Sequence, residues 1–178
     1  MSDRGFTLFE LLLALAILGI MALAVIPSMQ PYNEQRLDVA AREVAAAVRF
    51  ARDETIRTGK SYGVNISAVN QRLRVYRLVI SPSPTPTYDV HNPFDKKLYD
   101  LQFTSDPALS GVQVSAVSLY YQGLAGPVDF VNFDAWGTPK YNDSGTIRLL
   151  NNGEIKLSSG DAERFIRVDP MTGRVTVL

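Results

Sequence analysis

Apolar residues follow three patterns along the chain, and each predicts a different kind of structure. The first is an apolar segment from Phe6 to Ile26 whose only charged residue is Glu10. A helix of about 21 residues measures roughly 32 Å, which is enough to cross a bilayer. We therefore predict a transmembrane helix over residues 6–29.

The second pattern repeats every three or four residues and predicts an amphipathic helix over residues 34–58. Charged residues occupy its other faces, so one stripe should be buried against a sheet, and Gly59 supplies a stop. Pro27 and Pro31 fall between the two helical segments and predict a kink in one long helix. The buried stripe consists of Leu37, Ala41, Val44, Val48, Ala51 and Thr55.

From Ser61 onward the period changes to two, which predicts strands. The first two strands should form a hairpin around residues 68–71, and short turns later in the chain favour antiparallel pairing. Asn152-Gly153 predicts a two-residue hairpin turn, and residues 169–173 predict the last turn. The fold class is therefore α+β, with a globular domain at 30–178 that is β-rich from residue 61. Further strands are predicted at 98–103, 112–121, 128–133, 146–150, 154–157, 165–168 and 174–178.

Prolines interrupt the alternation between residues 81 and 97. Pro82, Pro84, Pro86 and Pro93 lie in this segment. Because proline can neither donate to a ladder nor continue a helix, we predict an extended, exposed loop that interrupts the sheet.

The amino-acid composition of the chain excludes several classes of function. The chain has 178 residues with 18 basic and 18 acidic side chains, so its formal charge is zero and no overall field attracts a polyanion. It has no cysteine, which excludes disulfides, thiolate metal sites and thiol nucleophiles. The single histidine, His91, lies in the proline-rich segment, with no P-loop or zinc-ligand spacing. We predict neither an enzyme nor a cofactor site.

The sequence around Gly5 carries a specific motif. Gly5 is followed by Phe6-Thr7-Leu8-Phe9-Glu10 and then by the apolar segment, and this pattern resembles the processing site of type IV prepilins and type II secretion pseudopilins. The resemblance implies that a prepilin peptidase cleaves between Gly5 and Phe6 and so removes the leader, residues 1–5. It also implies methylation of the new amino terminus on Phe6.

Glu10 is costly in a membrane helix, because a charge at the centre of such a helix costs about 2.5–3.5 kcal/mol on insertion scales. In the family that the motif resembles, its partner is the cationic amino terminus of a neighbouring subunit, so Glu10 would act in assembly. The alternative is that Glu10 reaches the cytoplasmic headgroups. Arg4 and the amino terminus outweigh Asp3, which predicts a cytoplasmic N-terminus.

Later segments resemble one branch of this family. The stretches AREVAAAVRFARDETIRTGKSYGVNI, VNFDAWGTP, GTIRLLNNGEIKL and FIRVDPMTGRVTVL are similar to minor pseudopilins of the GspH/FimT group. The resemblance implies a pilin-like fold and a structural subunit of a type II secretion pseudopilus. It implies a single-pass inner-membrane protein with a periplasmic head, whose partners are the prepilin peptidase, other pseudopilins and secreted cargo.

A minor pilin that binds DNA during uptake is the alternative. DNA-binding members of the FimT branch have a basic C-terminal tail, whereas this chain has Thr176 where a second arginine is expected. A phosphate-binding patch would need basic residues gathered on one face. The candidates for that patch are Arg148, Lys156, Arg164, Arg167 and Arg174.

The segment DAWGTPKY is also similar to a region of major pseudopilins near which calcium binds. Asp134 and Asp143 are too sparse for an oxygen cage, so we predict a turn here and no metal site. Trp136 would then be either a core residue or an interface aromatic.

Overall fold

A computed structural model describes residues 8–24, 30–80 and 84–178. The chain divides between Pro31 and Tyr32 into two compact units. The first unit contains helix α1 (Leu8–Ala24), and the second contains nearly all of helix α2 (Gln30–Thr58) together with the strands. Within these described ranges, no helix is both long enough and apolar enough to cross a membrane.

Helix α2 buries the predicted stripe. All six stripe positions, from Leu37 to Thr55, are fully buried, because their spacing places them on one helical face. The helix ends as predicted, with the N–H of Gly59 donating to the carbonyl of Thr55 at 2.9 Å and Gly59 at φ 67°. Pro31 was predicted to lie between the two helical segments, but it is the second residue of α2, where a missing N–H removes no helical bond. Pro27 lies outside the described residues.

The described strands form two antiparallel sheets. The first sheet has the order β3-β2-β1-β6, with β4 also paired to β2; the second has the order β10-β9-β8-β5, with β7 also paired to β8. The antiparallel α+β fold is therefore confirmed. The strand bounds are β1 Tyr62–Ser67, β2 Arg72–Ile80, β3 Pro84–Thr87, β4 Asp100–Gln102, β5 Gln113–Tyr121, β6 Phe130–Asn132, β7 Lys140–Asp143, β8 Thr146–Ser159, β9 Ala162–Val168 and β10 Val175–Val177.

One hydrophobic core joins α2 to both sheets. Its buried residues include Val44 on α2, Val64 and Val75 in the first sheet, and Ile155 and Ile166 in the second. Buried positions alternate along the central strands and therefore face this core. One face of α2 and one face of each sheet thus share a single core.

The predicted hairpin turn at Asn152-Gly153 is wrong, because both residues lie inside the continuous strand β8. Gly153 pairs with Leu119 on β5, and a Cβ at this position would lie 2.7 Å from the carbonyl oxygen of Val168. Close packing against β9 therefore accounts for this glycine. The two-residue turn is instead Ser144-Gly145, at φ 50° and 97°, which joins β8 to β7, a strand that the sequence analysis missed.

The proline-rich segment was predicted to interrupt the sheet as a loop, but residues 84–87 form the edge strand β3. Thr87 pairs with Arg77 and Thr85 with Val79 on β2. Pro84 and Pro86 are two residues apart, so both missing donors can face the outer edge, where no ladder bond is needed. Prolines at this spacing allow one strand and protect its free edge.

Candidate assembly surfaces

Helix α1 exposes a row of apolar side chains. Leu8 is 79% exposed, and the apolar side chains from Phe9 to Met21 are likewise exposed. Glu10 lies in the first turn of this helix. Gly5 and Phe6, the predicted processing residues, lie outside the described residues. Apolar side chains that are exposed together along one helix mark an interaction site.

In the head, the loop after β6 is organised by one aspartate. The Asp134 Oδ1 accepts hydrogen bonds from the N–H of Trp136 at 3.0 Å and of Thr138 at 2.8 Å. Lys140 Nζ lies 2.6 Å from Asp134 Oδ2. The N–H of Gly137 donates to the carbonyl of Asp134 at 2.8 Å, and Gly137 has φ 78°. The loop therefore has one fixed conformation that carries Trp136.

The loop between β9 and β10 repeats this arrangement. The Asp169 Oδ1 accepts from the N–H groups of Met171 at 3.1 Å and Thr172 at 2.8 Å. The N–H of Gly173 donates to the carbonyl of Asp169 at 2.9 Å, and Gly173 has φ 65°. In both loops an aspartate at the first position fixes an apolar residue two positions later. Trp136 and Met171 thus hold equivalent places, one in the loop between β6 and β7 and the other in the loop between β9 and β10.

The two loops meet at the C-terminal end of α2. Arg52 Nε donates to the carbonyl of Thr172 at 3.2 Å. A Cβ on Gly137 would lie 2.7 Å from Cδ1 of Ile56, and a Cβ on Gly173 would lie 2.2 Å from the carbonyl of Gly137. Both glycines are therefore required for this close approach as well as for their positive φ.

These contacts create a surface that we name the two-loop platform, defined by residues 134–138, residues 169–173 and Ile56. Trp136 is 81% exposed, Met171 is 72% exposed and Ile56 is 45% exposed. Of the two roles that the sequence left open for Trp136, the exposed position excludes the core. The platform was missed from the sequence because its loops are more than thirty residues apart; the shared signal is an aspartate followed by an apolar residue and a glycine.

Electrostatics hold both loop aspartates in their charged forms. Burial alone would raise the pKa of Asp134, but hydrogen bonds from Lys140, Thr138 and Trp136 hold that pKa below its usual value. The N–H and hydroxyl groups of Thr172, with the N–H of Met171, hold the pKa of Asp169 below its usual value. These hydrogen bonds are stronger to a carboxylate than to a neutral carboxyl group, so they favour the charged form.

An open groove of about 630 Å³ lies on the outer face of the first sheet. Tyr76 and Asn132 form part of its floor, and the hydroxyl of Tyr76 donates to Oδ1 of Asn132. Burial raises the pKa of Tyr76 well above its usual value. Gly63 lies between these two residues in the sheet, since it pairs with Tyr76 on β2 and with Asn132 on β6. The absent side chain leaves room for the tyrosine ring.

The basic residues proposed for a phosphate patch are mostly engaged with acids. Their ion pairs are Arg148 with Asp143 at 2.8 Å, Lys156 with Glu163 at 2.6 Å, Arg164 with Asp38 at 2.7 Å and Arg167 with Glu154 at 3.1 Å. Arg174 follows the two-loop platform and lies close enough to Asp169 to lower its pKa.

Arg164 and Arg167 lie on opposite faces of β9. Arg164 is opposite Leu157 and Arg167 is opposite Glu154 on β8. Because Leu157 is buried in the core, Arg164 is on the core-facing side, where it reaches Asp38 of α2, and Arg167 is on the outer side. Because side chains alternate between the two faces of β9, Arg164 and Arg167 do not lie together in one basic patch.

The acidic residues and the histidine considered for a metal or catalytic site lie apart from one another. Asp143 binds Arg148 and Asp134 binds Lys140, so neither carboxylate pairs with the other. Among the residues with described positions, no three His, Asp or Glu side chains come together as a metal site would require. His91 forms an isolated bridge with Leu98 in the loop after β3.

An apolar, exposed N-terminal helix followed by a helix packed on antiparallel sheets is the architecture of a pilin-like subunit, either a minor pseudopilin or a minor pilin. The chain belongs to the family described as type II transport protein GspH, whose model matches residues 40–172. Residues 1–26 match the prokaryotic N-terminal methylation motif. These pilin-like families consist of structural subunits that assemble with one another, and the motif is the substrate signal of the prepilin peptidase.

The fold is shared with a solved pseudopilin structure at low sequence identity. The minor pseudopilin EpsH from the type 2 secretion system of Vibrio cholerae is 15% identical with a TM-score of 0.52, covering 80% of this chain and 96% of that chain. The type IV minor pilin FimU of Pseudomonas aeruginosa is 15% identical with a TM-score of 0.49, covering 85% and 92%. The pilin-like protein PilA1 of Thermus thermophilus is 44% identical over 66 residues, which are 37% of this chain and 42% of that relative.

Proposed function

We propose that this protein is a minor pseudopilin of a type II secretion pseudopilus. In this proposal the peptidase cleaves between Gly5 and Phe6, the amino group of Phe6 is methylated, and residues 6–29 anchor the chain in the inner membrane. The head, residues 30–178, lies in the periplasm and contacts other pseudopilins or secreted cargo. Glu10 acts in assembly by pairing with the amino terminus of a neighbouring subunit.

The observation that carries this proposal is the family match over 40–172 together with the methylation motif at 1–26. The division of surfaces supports it: the head buries its own stripe on α2, whereas α1 leaves its apolar side chains exposed. A chain of this kind needs apolar partners only for its N-terminal segment. The head is then available for specific contacts with other proteins.

The basic residues give less support to the alternative, a minor pilin that binds DNA during uptake, than to the pseudopilin proposal. A cation already paired with a carboxylate must exchange that partner for a phosphate, so it releases fewer counterions and gains less affinity. Four of the five candidate cations have such a partner, and Arg164 and Arg167 face opposite ways. Ion pairs at a protein surface typically contribute less than about 1 kcal/mol, so phosphate could still displace them.

The processing step is tested by intact-mass analysis of the chain extracted from membranes of peptidase-competent cells. We expect the loss of residues 1–5 and the gain of one methyl group. Gly5→Val should block cleavage because its side chain obstructs the backbone at the cut, while Gly19→Val, a matched change within α1, should leave it unaffected. A full-length mass for the unmodified chain would contradict the proposal.

The choice between the two apparatuses is tested by deleting the gene in its own cell. We expect substrates of the secretion system to accumulate inside the cell while DNA uptake stays normal, and the unmodified gene should restore secretion. Normal secretion with lost DNA uptake would favour the alternative. In that case, charge reversal at Arg167 and Arg174 should weaken DNA binding by the purified protein.

A further inference from the structure

The two-loop platform presents three apolar side chains to solvent in fixed positions. Hydrogen bonds to Asp134 and Asp169 fix the two loops, and Trp136 and Met171 are exposed on them. Ile56, at the end of α2, is the third apolar residue of the platform. An ordered side chain loses little conformational freedom when it binds. The platform is therefore suited to a partner that takes up apolar side chains.

Trp136 has the chemistry of a residue at a membrane surface. It is the single tryptophan of the chain, and within the described part of the chain no residue accepts a hydrogen bond from its indole N–H. Tryptophan is enriched where a bilayer meets water, because its ring enters the apolar layer while the N–H stays with water and headgroups. Met171 adds apolar surface of the same kind.

Two exposed cations flank the platform. Ser61 Oγ donates to the carbonyl of Phe133 at 3.1 Å, which places the neighbouring Lys60 beside the first loop. Arg174 directly follows the second loop. Among the described residues, neither cation forms an ion pair with a carboxylate. Unpaired cations beside exposed apolar side chains attract anionic lipid headgroups.

The composition and shape of the platform favour a lipid surface over a protein partner. Lysine is depleted in protein interfaces, whereas Lys60 lies at the edge of this surface. Three apolar side chains are also few for a stable protein interface, in which each partner buries roughly 800 Å². Trp136 and Met171 project from loops, and a bilayer accepts such side chains without a cavity of matching shape.

The length of α2 indicates which bilayer the platform meets. The helix begins at Gln30, where the proposed membrane segment, residues 6–29, ends. Ile56 lies about 39 Å further along the same helix axis. The platform and the start of α2 are therefore at opposite ends of one helix. A surface at the far end is placed to meet a second bilayer that faces the first.

We propose that the two-loop platform docks on the anionic surface of a phospholipid bilayer that faces the one holding the N-terminal segment. Trp136 and Met171 enter the headgroup region, and Lys60 and Arg174 lie against lipid phosphates. This docking rests on the proposed function, because the N-terminal segment must first be anchored. It goes beyond that function by giving the head a lipid partner.

The single tryptophan allows a direct test. The full-length chain is reconstituted in phosphatidylcholine vesicles, and flotation measures whether it is anchored there. Acceptor vesicles of phosphatidylglycerol and phosphatidylcholine, with brominated acyl chains that quench tryptophan fluorescence, are then added. We expect the fluorescence of Trp136 to be quenched and to shift to shorter wavelength. Brominated acceptor vesicles of phosphatidylcholine alone should quench much less.

The cations are tested in the same measurement. Lys60→Gln combined with Arg174→Gln should raise the concentration of acceptor lipid that gives half-maximal quenching by about tenfold. Lys96→Gln combined with Lys97→Gln is the matched control, since these lysines are exposed outside the platform, and it should leave that concentration unchanged. Equal effects of the two double changes would overturn docking through the platform, because general charge would then account for the attraction.

The apolar anchor is tested by capture of vesicles, since Trp136 is itself the fluorescent probe. Vesicles that carry the chain are mixed with dye-labelled acceptor vesicles, and the captured dye is measured. Trp136→Ala should lower capture by about tenfold. Val69→Ala is the control, because Val69 is 93% exposed at the β1–β2 hairpin; it should leave capture unchanged. Unchanged capture by Trp136→Ala would overturn the proposed anchor.

Brominated lipid placed only in the chain's own vesicles separates the two bilayers. Quenching in this arm, without quenching by acceptor vesicles, would overturn docking on a facing bilayer. If chains that float with their vesicles are quenched in neither arm, the lipid contact is overturned and the proposed function stands. Chains that do not float would instead overturn the anchoring that the proposed function requires.

Discussion

The side-chain amide of Gln71 pairs with the main chain of Val114 as a strand residue would. Its Nε2 donates to the carbonyl of Val114 at 3.0 Å, and its Oε1 accepts from the N–H of Val114 at 2.8 Å. Gln71 lies in the hairpin of the first sheet and Val114 lies on β5 of the second. One side chain therefore joins the two sheets at the edge of β5.

Removing this amide should destabilise the head. Gln71→Ala leaves the N–H and the carbonyl of Val114 without their partner, and we expect the free energy of unfolding to fall by about 1–3 kcal/mol. The measurement is urea unfolding of the purified chain followed by circular dichroism. Gln113→Ala, an exposed change on the same strand, is the control and should have little effect. Equal losses in both variants would show that the amide pairing contributes nothing specific.

Thr55 connects the end of α2 to the start of β1. It is fully buried; its Oγ1 donates to the carbonyl of Ala51 at 2.8 Å and accepts from the N–H of Tyr62 at 3.0 Å. Thr55→Val keeps the volume but leaves the N–H of Tyr62 buried without a partner, so we expect a loss of about 1–3 kcal/mol in urea unfolding.

Thr58→Val is the matched control for this loss. Thr58 also donates to a helical carbonyl, that of Glu54 at 2.7 Å, but it is only half-buried, so water can replace its bonds. The valine at 58 should therefore cost clearly less than the valine at 55. Similar costs would mean that the helix-to-strand bond is not the source of the effect.

Gly63 is required because its neighbours leave no room for a side chain, and not because a turn needs its backbone freedom. A Cβ at this position would lie 2.7 Å from the carbonyl oxygen of Val131 and 2.8 Å from the ring of Tyr76. Since a backbone oxygen cannot move aside without disturbing the pairing of β1 and β6, Gly63→Ala should cost about 1–3 kcal/mol. Thermal unfolding checks this, with Gly126→Ala as control because no atom lies within 4 Å of its added Cβ. An unchanged melting temperature for Gly63→Ala would contradict the prediction.

The helical and strand periods predicted most of the head because they depend on burial. The six stripe positions of α2 are buried, and the first hairpin lies where the alternation changes. Local turn signals were less reliable, since Asn152-Gly153 is held in β8 by pairing with Tyr120 and Leu119 of β5. A glycine in a close sheet contact and a glycine in a turn look alike in one sequence.

Only part of the candidate assembly surfaces could be predicted from the sequence, because one part is a local motif and the other depends on a tertiary contact. The methylation motif is contiguous, so residues 5–10 could be read directly. The two-loop platform depends on Gly137 and Gly173 lying back to back, which is a tertiary contact. The turn at 169–173 was predicted correctly, but nothing local in the sequence indicates that it meets the loop of Trp136.

Asp169 should make stability depend on pH in the acid range. Its pKa is lower in the folded chain than the usual value because Thr172 donates to the carboxylate. A carboxyl group with a depressed folded pKa contributes stability that is present above the unfolded pKa and is lost as the pH falls through the folded pKa. Asp169→Asn should therefore flatten the fall in stability below the unfolded pKa of about 3.9.

The measurement for Asp169 is urea unfolding over a series of acid pH values. Asp161→Asn, an exposed change in the turn before β9, is the control and should leave the slope near that of the unmodified chain. If the slope is the same in all three proteins, the Thr172 bonds to Asp169 do not distinguish the folded from the unfolded state.

Glu10 is the residue whose substitution separates assembly from insertion. If its carboxylate pairs with the amino terminus of a neighbour, Glu10→Leu should leave membrane insertion intact or improved, because it removes a costly charge from an apolar segment. Incorporation into the filament should fall, since the neighbour's amine loses its partner. If Glu10 only reaches the headgroups, assembly should stay nearly unchanged. Crosslinking to pilin-like subunits, divided by the abundance of the variant, measures this difference.

A subunit at the end of a filament makes only one of the two pairings, so Glu10→Leu alone could show little effect there. Glu10→Lys is therefore tested in parallel, because it adds repulsion between two cations to the loss of attraction. Glu43→Lys, the same charge reversal on the exposed side of α2, controls for a general effect of charge. We expect crosslinking to decrease from Glu43→Lys to Glu10→Leu and again to Glu10→Lys. Normal crosslinking by both Glu10 variants would exclude pairing of Glu10 with the amino terminus of a neighbouring subunit.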